Sequence, residues 1–201
     1  SKILAEAGHV FRGHSDTEVL LAAITEWGIE KAVQRLNGMF AIAVWDKKER
    51  VLHLVRDRLG EKPLYYGWVG DVFLFGSELK TLHAYENFNP TVNRDALALY
   101  FRYRYVPYPY SIYEGIYKLT PGSILTVHPE KPGQLLEPIP YWSLQEVVEK
   151  GVAEPFTNSE SEIISNFEQI LGDAVEMCMV SDVPLGAFLS GGIDSSSIVA
   201  L

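Results

Sequence analysis

The sequence predicts an α+β domain, with sheet covered by helices, followed by the start of an α/β domain. Three observations point there. Two pairs of short apolar runs, GMFAIAVWD with VLHLVRD and LYYGW with VFLFGS, are each joined by a few turn residues, the pattern of β-hairpins. Segments with helical apolar spacing lie before and after them. The chain finishes on AFLSGGIDSSSIVAL, residues 187–201, where an apolar run passes through a glycine turn into the start of a helix.

Taken in order, GHSDTEVLLAAITEWG reads as one amphipathic helix. Ser15 and Glu18 form a capping-box pair, Val19, Leu20, Ala23, Ile24 and Trp27 supply the apolar stripe, and Gly28 ends it. From Gly38 the period changes to that of strands. The first hairpin turns at Lys47-Lys48-Glu49 and the second at Val69-Gly70-Asp71. Both faces of GMFAIAVW are apolar, so that strand is expected to be buried on both sides. Arg56-Asp57-Arg58 ends a strand and is read as a structural ion-pair cluster. Ser77-Glu78 begins a helix with the serine as cap. Asn93 caps RDALALYFRY, and a stretch rich in tyrosine and proline follows, YRYVPYPYSIYEGIYKL. Thr120-Pro121-Gly122 then turns the chain into the strand SILTVH. Residues 129–158 carry prolines and glycines at irregular spacing and read as the end of one domain and a connector. Ser159 and Glu162 open a helix over residues 159–179. Ile163, Ile164, Phe167, Ile170, Leu171, Ala174, Val175 and Cys178 lie on one of its faces.

Composition excludes several function classes. At 201 residues the chain holds one large domain or pieces of two. A net charge of -9 argues against a nucleic-acid partner, which leaves a basic footprint. Arg102 and Arg104 among the tyrosines are too few to make a single-strand-binding surface, so a packed interface loop is expected there. No apolar run reaches the roughly 18 residues that cross a bilayer, and SKILAEAGHV lacks the plan of a signal peptide. A cytosolic protein is expected. Cys178, the one cysteine, excludes an internal disulfide framework and a multi-cysteine zinc site. His9, His14, His53, His83 and His128 are scattered without metal-ligand spacing.

The chemistry concentrates in SGGIDSS, Ser190 to Ser196. Ala187-Phe188-Leu189 is expected to form a buried parallel strand, and Gly191 and Gly192 allow a sharp turn with no side chain near a ligand. The helix then starts near Asp194 with three consecutive serines, Ser195 to Ser197, so free backbone N–H groups and hydroxyls converge on one point. Such a helix start binds phosphate. Asp194 suits a Mg²⁺ ion bridging the phosphates.

This loop resembles the pyrophosphate loop of the ATP pyrophosphatases, and it lacks the Gly-Lys-Ser/Thr of a Walker loop. SDVPLGAFLSGGIDSS is similar to the opening of the synthetase domain of glutamine-hydrolysing asparagine synthetases. GHSDTEVLLAA, LNGMFAIAVWD, RDRLGEKPLYY and FGSELKTL resemble blocks of that family's glutaminase domain, in the same order. The resemblance implies an N-terminal-nucleophile glutaminase sandwich (α-β-β-α, here incomplete) over residues 1–142, a linker over 143–158, and the start of an adenine-nucleotide pyrophosphatase-type α/β domain over 159–201. It implies ATP and Mg²⁺ as cofactors, glutamine and aspartate as small-molecule substrates, and leaves a homodimer open. Asp16 matches the aspartate that holds the α-amino group of glutamine. Ser190, Gly191, Gly192, Asp194, Ser195 and Ser196 match the pyrophosphate-binding positions, and Leu189 falls where the backbone contacts adenine.

The chain departs from the family in places. The family's nucleophile is an N-terminal cysteine whose α-amino group serves as base. Here residue 1 is serine, so no catalytic residue is assigned. Cys178, beside Met177 and Met179, is expected to be an inert core thiol. The arginine and the Asn-Gly-Glu segment expected before GHSD are absent. The chain therefore reads as an internal piece of a two-domain amidotransferase, expected to be inactive alone, to bind ATP poorly and to fold poorly by itself. Two alternatives remain. YVPYPYSIYEGIYKLTPG resembles amidotransferases of surface-polysaccharide gene sets, which would amidate a sugar carboxylate. A non-catalytic glutamine- or nucleotide-binding module is the other.

Overall fold

The computed structural model describes residues 2–13 and 15–201. Ser1 and His14 lie outside the described residues. The elements run α1 Lys2–Glu6, α2 Asp16–Gln34, β1 Ala41–Asp46, β2 Val51–Arg56, β3 Tyr65–Val69, β4 Val72–Gly76, α3 Leu79–Leu82, α4 Arg94–Tyr103, β5 Ile116–Lys118, β6 Ser123–Val127, β7 Ile139–Pro140, α5 Leu144–Ala153, α6 Glu160–Cys178 and α7 Ile193–Ala200. Two units divide the chain, one ending at Gln145 and the other running from Glu146 to Leu201. Among the described residues no helix is long and apolar enough to cross a membrane.

In the first unit, local chemistry sets the two hairpins. Asp46 Oδ1 accepts from Lys48 N at 2.8 Å and from Glu49 N at 2.9 Å, folding the polar turn between β1 and β2. Gly70 takes φ 59 between β3 and β4, a conformation most side chains resist. β1 pairs with β2, β2 with β6 and β6 with β7, while β3 lies between β4 and β5. Both sheets are antiparallel throughout. Leu54, Leu125 and Val127 of the four-stranded sheet share one apolar cluster with Tyr66 of the other. On the opposite face of the four-stranded sheet, Val55 and Ile124 pack with Val33 and Ile29 of α2. Ile116 of the three-stranded sheet meets Leu82 and Phe88 in a third cluster. Apolar burial of this kind on both faces is what holds a sheet in place.

Several expectations are corrected. Among the described residues β1 pairs with β2 alone and is an edge strand, and Trp45 on it is 46% exposed, so the strand is not covered on both faces. The strand buried along its length is β2, whose Val51, Leu54, Val55 and Arg56 are all buried. Gly28 does end the first helical segment, at φ 75, ψ 165, but a second segment follows it directly and runs to Gln34. Glu78, not Ser77, occupies the N-cap of α3. Within residues 129–158 the chain forms β7 and α5. The tyrosine-rich stretch is packed only in part: Ser111 and Ile116 are buried, whereas nearby Phe101 is 75% exposed, and Tyr105 and Tyr108 are also exposed.

The second unit begins within α5 and holds α6 and α7. Glu162 opens α6 by accepting from Ser159 N at 2.9 Å and from its hydroxyl at 2.8 Å. Those bonds hold its carboxyl below the usual range. Ala187-Phe188-Leu189 does not form the expected parallel strand, and Phe188 is fully exposed. A parallel strand needs neighbours to receive its hydrogen bonds, and this unit contains no other strand among the described residues. Cys178 is likewise exposed rather than buried.

Candidate functional site

The first unit carries a cleft of about 500 Å³ between the start of α2, the start of β1 and the loop after β2. Asp16, Thr17 and Leu20 line it from α2, Met39 and Phe40 from the chain just before β1, Ala41 and Ile42 from β1, and Lys62 and Ser77 from beyond. Ser15 caps α2, its hydroxyl accepting from Thr17 N at 3.2 Å. Glu18 does not reach back to Ser15. Its carboxylate accepts from Arg12 N and Gly13 N, each at 2.9 Å, and those two bonds keep its pKa below normal. The bonds fold the preceding chain onto the helix start. Asp16, in the first turn, then meets only the 3.4 Å donation from Thr17 Oγ1 among its described contacts. A carboxylate there is favoured by the helix dipole.

Behind the lining, Arg56 and Asp57 brace the loop that carries Lys62. Asp57 is fully buried. Its Oδ1 accepts from Glu61 N at 2.8 Å, and its Oδ2 accepts from Lys62 N at 2.9 Å and Phe40 N at 3.3 Å. Arg56 donates Nε to the Lys62 carbonyl at 2.8 Å, and its terminal nitrogens to the carbonyls of Leu119 at 2.7 Å and Gly60 at 2.5 Å. Burial lowers the Arg56 pKa, and the neighbouring Asp57 charge opposes that. The expected ion-pair cluster is thus corrected: among the described residues Arg56 and Asp57 bond to backbone, and the Arg58 guanidinium donates to the Gln34 carbonyl at 2.8 Å. Gly60, at φ 70, has no room for a side chain, since a Cβ would sit 2.7 Å from Pro121 and 3.0 Å from the Arg56 guanidinium.

In the second unit, residues 190–196 form the turn into α7. Gly191 takes φ 77, and Gly192 stands at the N-cap. The Ser190 and Ser195 hydroxyls lie 3.0 Å apart, Gly192 N donates to Ser190 Oγ at 3.4 Å, and Ser195 Oγ donates to the Gly192 carbonyl at 3.1 Å. Ser196 N also donates to that carbonyl, at 3.0 Å. Asp194 is in the first turn of the helix, and Leu189, before the loop, is 61% exposed. The sequence-predicted residues of this loop therefore cluster, whereas Asp16 stands in the other unit. Lys62 and Ser77 escaped the sequence reading as cleft residues. Ser77 had a sufficient explanation as a cap, and Lys62 is brought to the cleft by backbone bonds with Arg56 and Asp57, six and five positions away, which no periodic pattern announces.

Residues 1–142 match the family described as a glutamine amidotransferase domain, and residues 166–201 match the asparagine synthase family. Asparagine synthetase (glutamine-hydrolyzing) 3 of Bacillus subtilis is 41% identical over 201 residues, 100% of this chain and 31% of that protein. Asparagine synthetase (glutamine-hydrolyzing) 1 of the same organism is 36% identical over 198 residues, 98% of this chain and 29% of that protein. The chain spans about a third of the length of these curated relatives. The solved glutamine phosphoribosylpyrophosphate amidotransferase of B. subtilis aligns at TM-score 0.48 and 20% identity, covering 70% of this chain and 26% of that one. With its first 142 residues matched as one domain, the chain belongs to the glutamine amidotransferase family, and it runs on into a segment of the asparagine synthase family.

Proposed function

We propose that this chain is part of a glutamine-dependent asparagine synthetase. The observation that carries the reading is the tandem match, amidotransferase then asparagine synthase, in one chain. In the proposed reaction, glutamine is hydrolysed to glutamate and ammonia at the first site. At the second, the aspartate side-chain carboxylate attacks the α-phosphorus of ATP, releasing pyrophosphate. Ammonia then displaces AMP from the acyl-adenylate. Adenylation converts a poor leaving group into a good one.

Within that reading, residues 1–142 are the glutaminase portion, 143–158 a linker and 159–201 the start of the synthetase domain. The apolar clusters on both faces of the four-stranded sheet support an α-β-β-α sandwich. Asp16 receives the α-ammonium of glutamine, and its place on the cleft wall supports this. Leu189, Ser190, Gly191, Gly192, Asp194, Ser195 and Ser196 form the ATP site, their N–H groups and hydroxyls facing charge that grows on pyrophosphate. Asp194 and the adjacent hydroxyls fit a Mg²⁺ ion held chiefly by the phosphates, since that ion takes one or two carboxylates and keeps its other ligands. The protein works in the cytosol and binds neither nucleic acid nor membrane.

The test is an assay of the longer protein containing this chain, supplied with glutamine, ATP, Mg²⁺ and aspartate. Asparagine, AMP and pyrophosphate should form in equal amounts. Ammonia release without aspartate-dependent AMP would remove aspartate as the acceptor and favour a sugar carboxylate. The absence of both activities would leave a binding module.

A further inference from the structure

We propose that a second cleft of the first unit binds a neutral, flat aromatic molecule whose ring edge accepts a hydrogen bond from the Trp68 indole. This cleft holds about 520 Å³ and shares no lining residue with the first. Its floor is aromatic. Tyr66 and Trp68, alternate residues of β3, share one face of the strand, and the register sets Tyr117 of β5 beside Tyr66, with ring centroids 5.9 Å apart. The lip is the segment before β7, from which Leu136 packs on the same apolar cluster as Tyr66 and Trp68. Small-molecule sites have this character: a concave, mostly apolar lining with a few polar groups that fix orientation.

The unused bonding capacity of the lining defines the ligand. Trp68 has one polar side-chain atom, the indole nitrogen, and it is buried without a hydrogen-bond partner among the described residues. Buried indole N–H groups normally find an acceptor, and a donor left unpaired calls for an explanation. An acceptor on the edge of a bound ring completes that bond, and the ring itself extends the aromatic floor. The polar side chains of the lining are Thr120, Gln134 and the tyrosines, and none of its residues carries a formal charge. An ion entering it would leave water without meeting a counter-charge, which is costly, so the ligand is neutral. Burial pushes the Tyr66 hydroxyl up to about 12, as a surround of low polarity does. Two further lining side chains, Tyr117 and Leu135, remain 43% and 82% exposed. A ligand seated against them removes from water apolar surface that the fold itself leaves wet.

The experiment is equilibrium dialysis of the longer protein containing this chain, near neutral pH, against quinoline and naphthalene. The two probes have the same shape and differ by the ring nitrogen that accepts. One equivalent of quinoline should bind per chain. Trp68→Phe should weaken quinoline about five- to tenfold, the size of one neutral hydrogen bond, and naphthalene by less than about twofold. Tyr117→Ala should weaken both probes alike, about three- to tenfold, the size of one aromatic pair. That second variant changes an exposed side chain and carries the test if Trp68→Phe does not fold, which circular dichroism would show. Quinoline binding that neither variant weakens, or a Trp68→Phe loss equal for both probes, overturns the inference. So does the absence of saturable binding, which would mean that the longer protein fills this cleft with its own side chains.

Discussion

The Tyr141 hydroxyl donates to the backbone carbonyl of Arg56 at 2.9 Å, across 85 positions of sequence. Tyr141 N also donates to the Gly122 carbonyl at 2.8 Å, and Gly122 N donates to the Asp57 carbonyl at 2.8 Å. The end of the first unit is thereby tied to the strand end that supports the cleft wall. Tyr141→Phe removes the partner of a buried carbonyl and should destabilise the unit by about 1–3 kcal/mol. Equilibrium denaturation in urea measures it, and a change below about 0.5 kcal/mol would show that the carbonyl finds another donor.

The same residue makes the unit sensitive to alkali. Burial pushes Tyr141 up to about 12, with the Arg58 charge pulling down and the Asp57 charge pushing up. Tyr66 is pushed to about 12 by burial, with Tyr117 adding to it. In the unfolded chain a tyrosine ionises near 10, so above that pH the unfolded state loses protons that the folded state keeps. Stability is therefore full below about pH 10 and falls as the pH rises toward 12. Tyr66→Phe and Tyr141→Phe together should flatten that fall. A wild-type midpoint that stays constant from pH 9 to about 11.5 would contradict it.

Asp57→Asn tests the wall directly. Asp57 accepts three N–H bonds, whereas an asparagine has one accepting atom, and its amide would confront a backbone donor whichever way it turned. The expected cost is about 3 kcal/mol, in the range for hydrogen bonds to a buried charged group. Denaturation of the variant reads it, and a cost under about 1 kcal/mol would mean that the loop rearranges freely.

Local chemistry was legible in the sequence, and distant pairing was not. Asn93 caps α4 by accepting from Ala96 N at 2.9 Å, an interaction spanning three residues. The two hairpins turn where their polar and glycine residues predict. The position of β1 at a sheet edge was hidden, because an apolar strand reads the same whether or not a second neighbour exists. Arg56 and Asp57 looked like an ion-pair cluster because two of their partners, Leu119 and Phe40, lie 63 and 17 positions away. α5 was obscured by the prolines around it, although LQEVVEKGVA has the composition of a helix. In the phosphate-type loop the glycine turn and helix start were legible, but the preceding strand depends on neighbours that local sequence does not supply.

Gly67→Ala probes how closely the backbones of the three-stranded sheet approach. A Cβ on Gly67 would stand 2.2 Å from the Gly115 carbonyl and 2.7 Å from Ile116 Cδ1, and the first of these is backbone. β3 and β5 would have to separate at the Gly67–Ile116 pairing. The cost should reach about 3 kcal/mol or more, at the upper end for overpacking. Gly70→Ala is the control: it meets nothing within 4 Å and is left with only the strain of φ 59, about 1–2 kcal/mol. The reverse order in thermal melts would show that the sheet tolerates the separation and that the turn does not.

Cys178 separates the exposed thiol seen here from the core thiol that helical spacing suggests. It lies near the end of α6, on a helix whose Phe167 and Ile170 are 65% and 68% exposed, and it is itself exposed. An exposed thiol reacts with no barrier from unfolding. One equivalent of an aromatic disulfide reagent should therefore titrate in native buffer about as fast as in denaturant. Slow reaction that denaturant accelerates would mean that the apolar face of α6 is covered in solution. The same rate measured in the longer protein would then show whether the cover comes from that protein or from a second copy of this chain, because only the second depends on concentration.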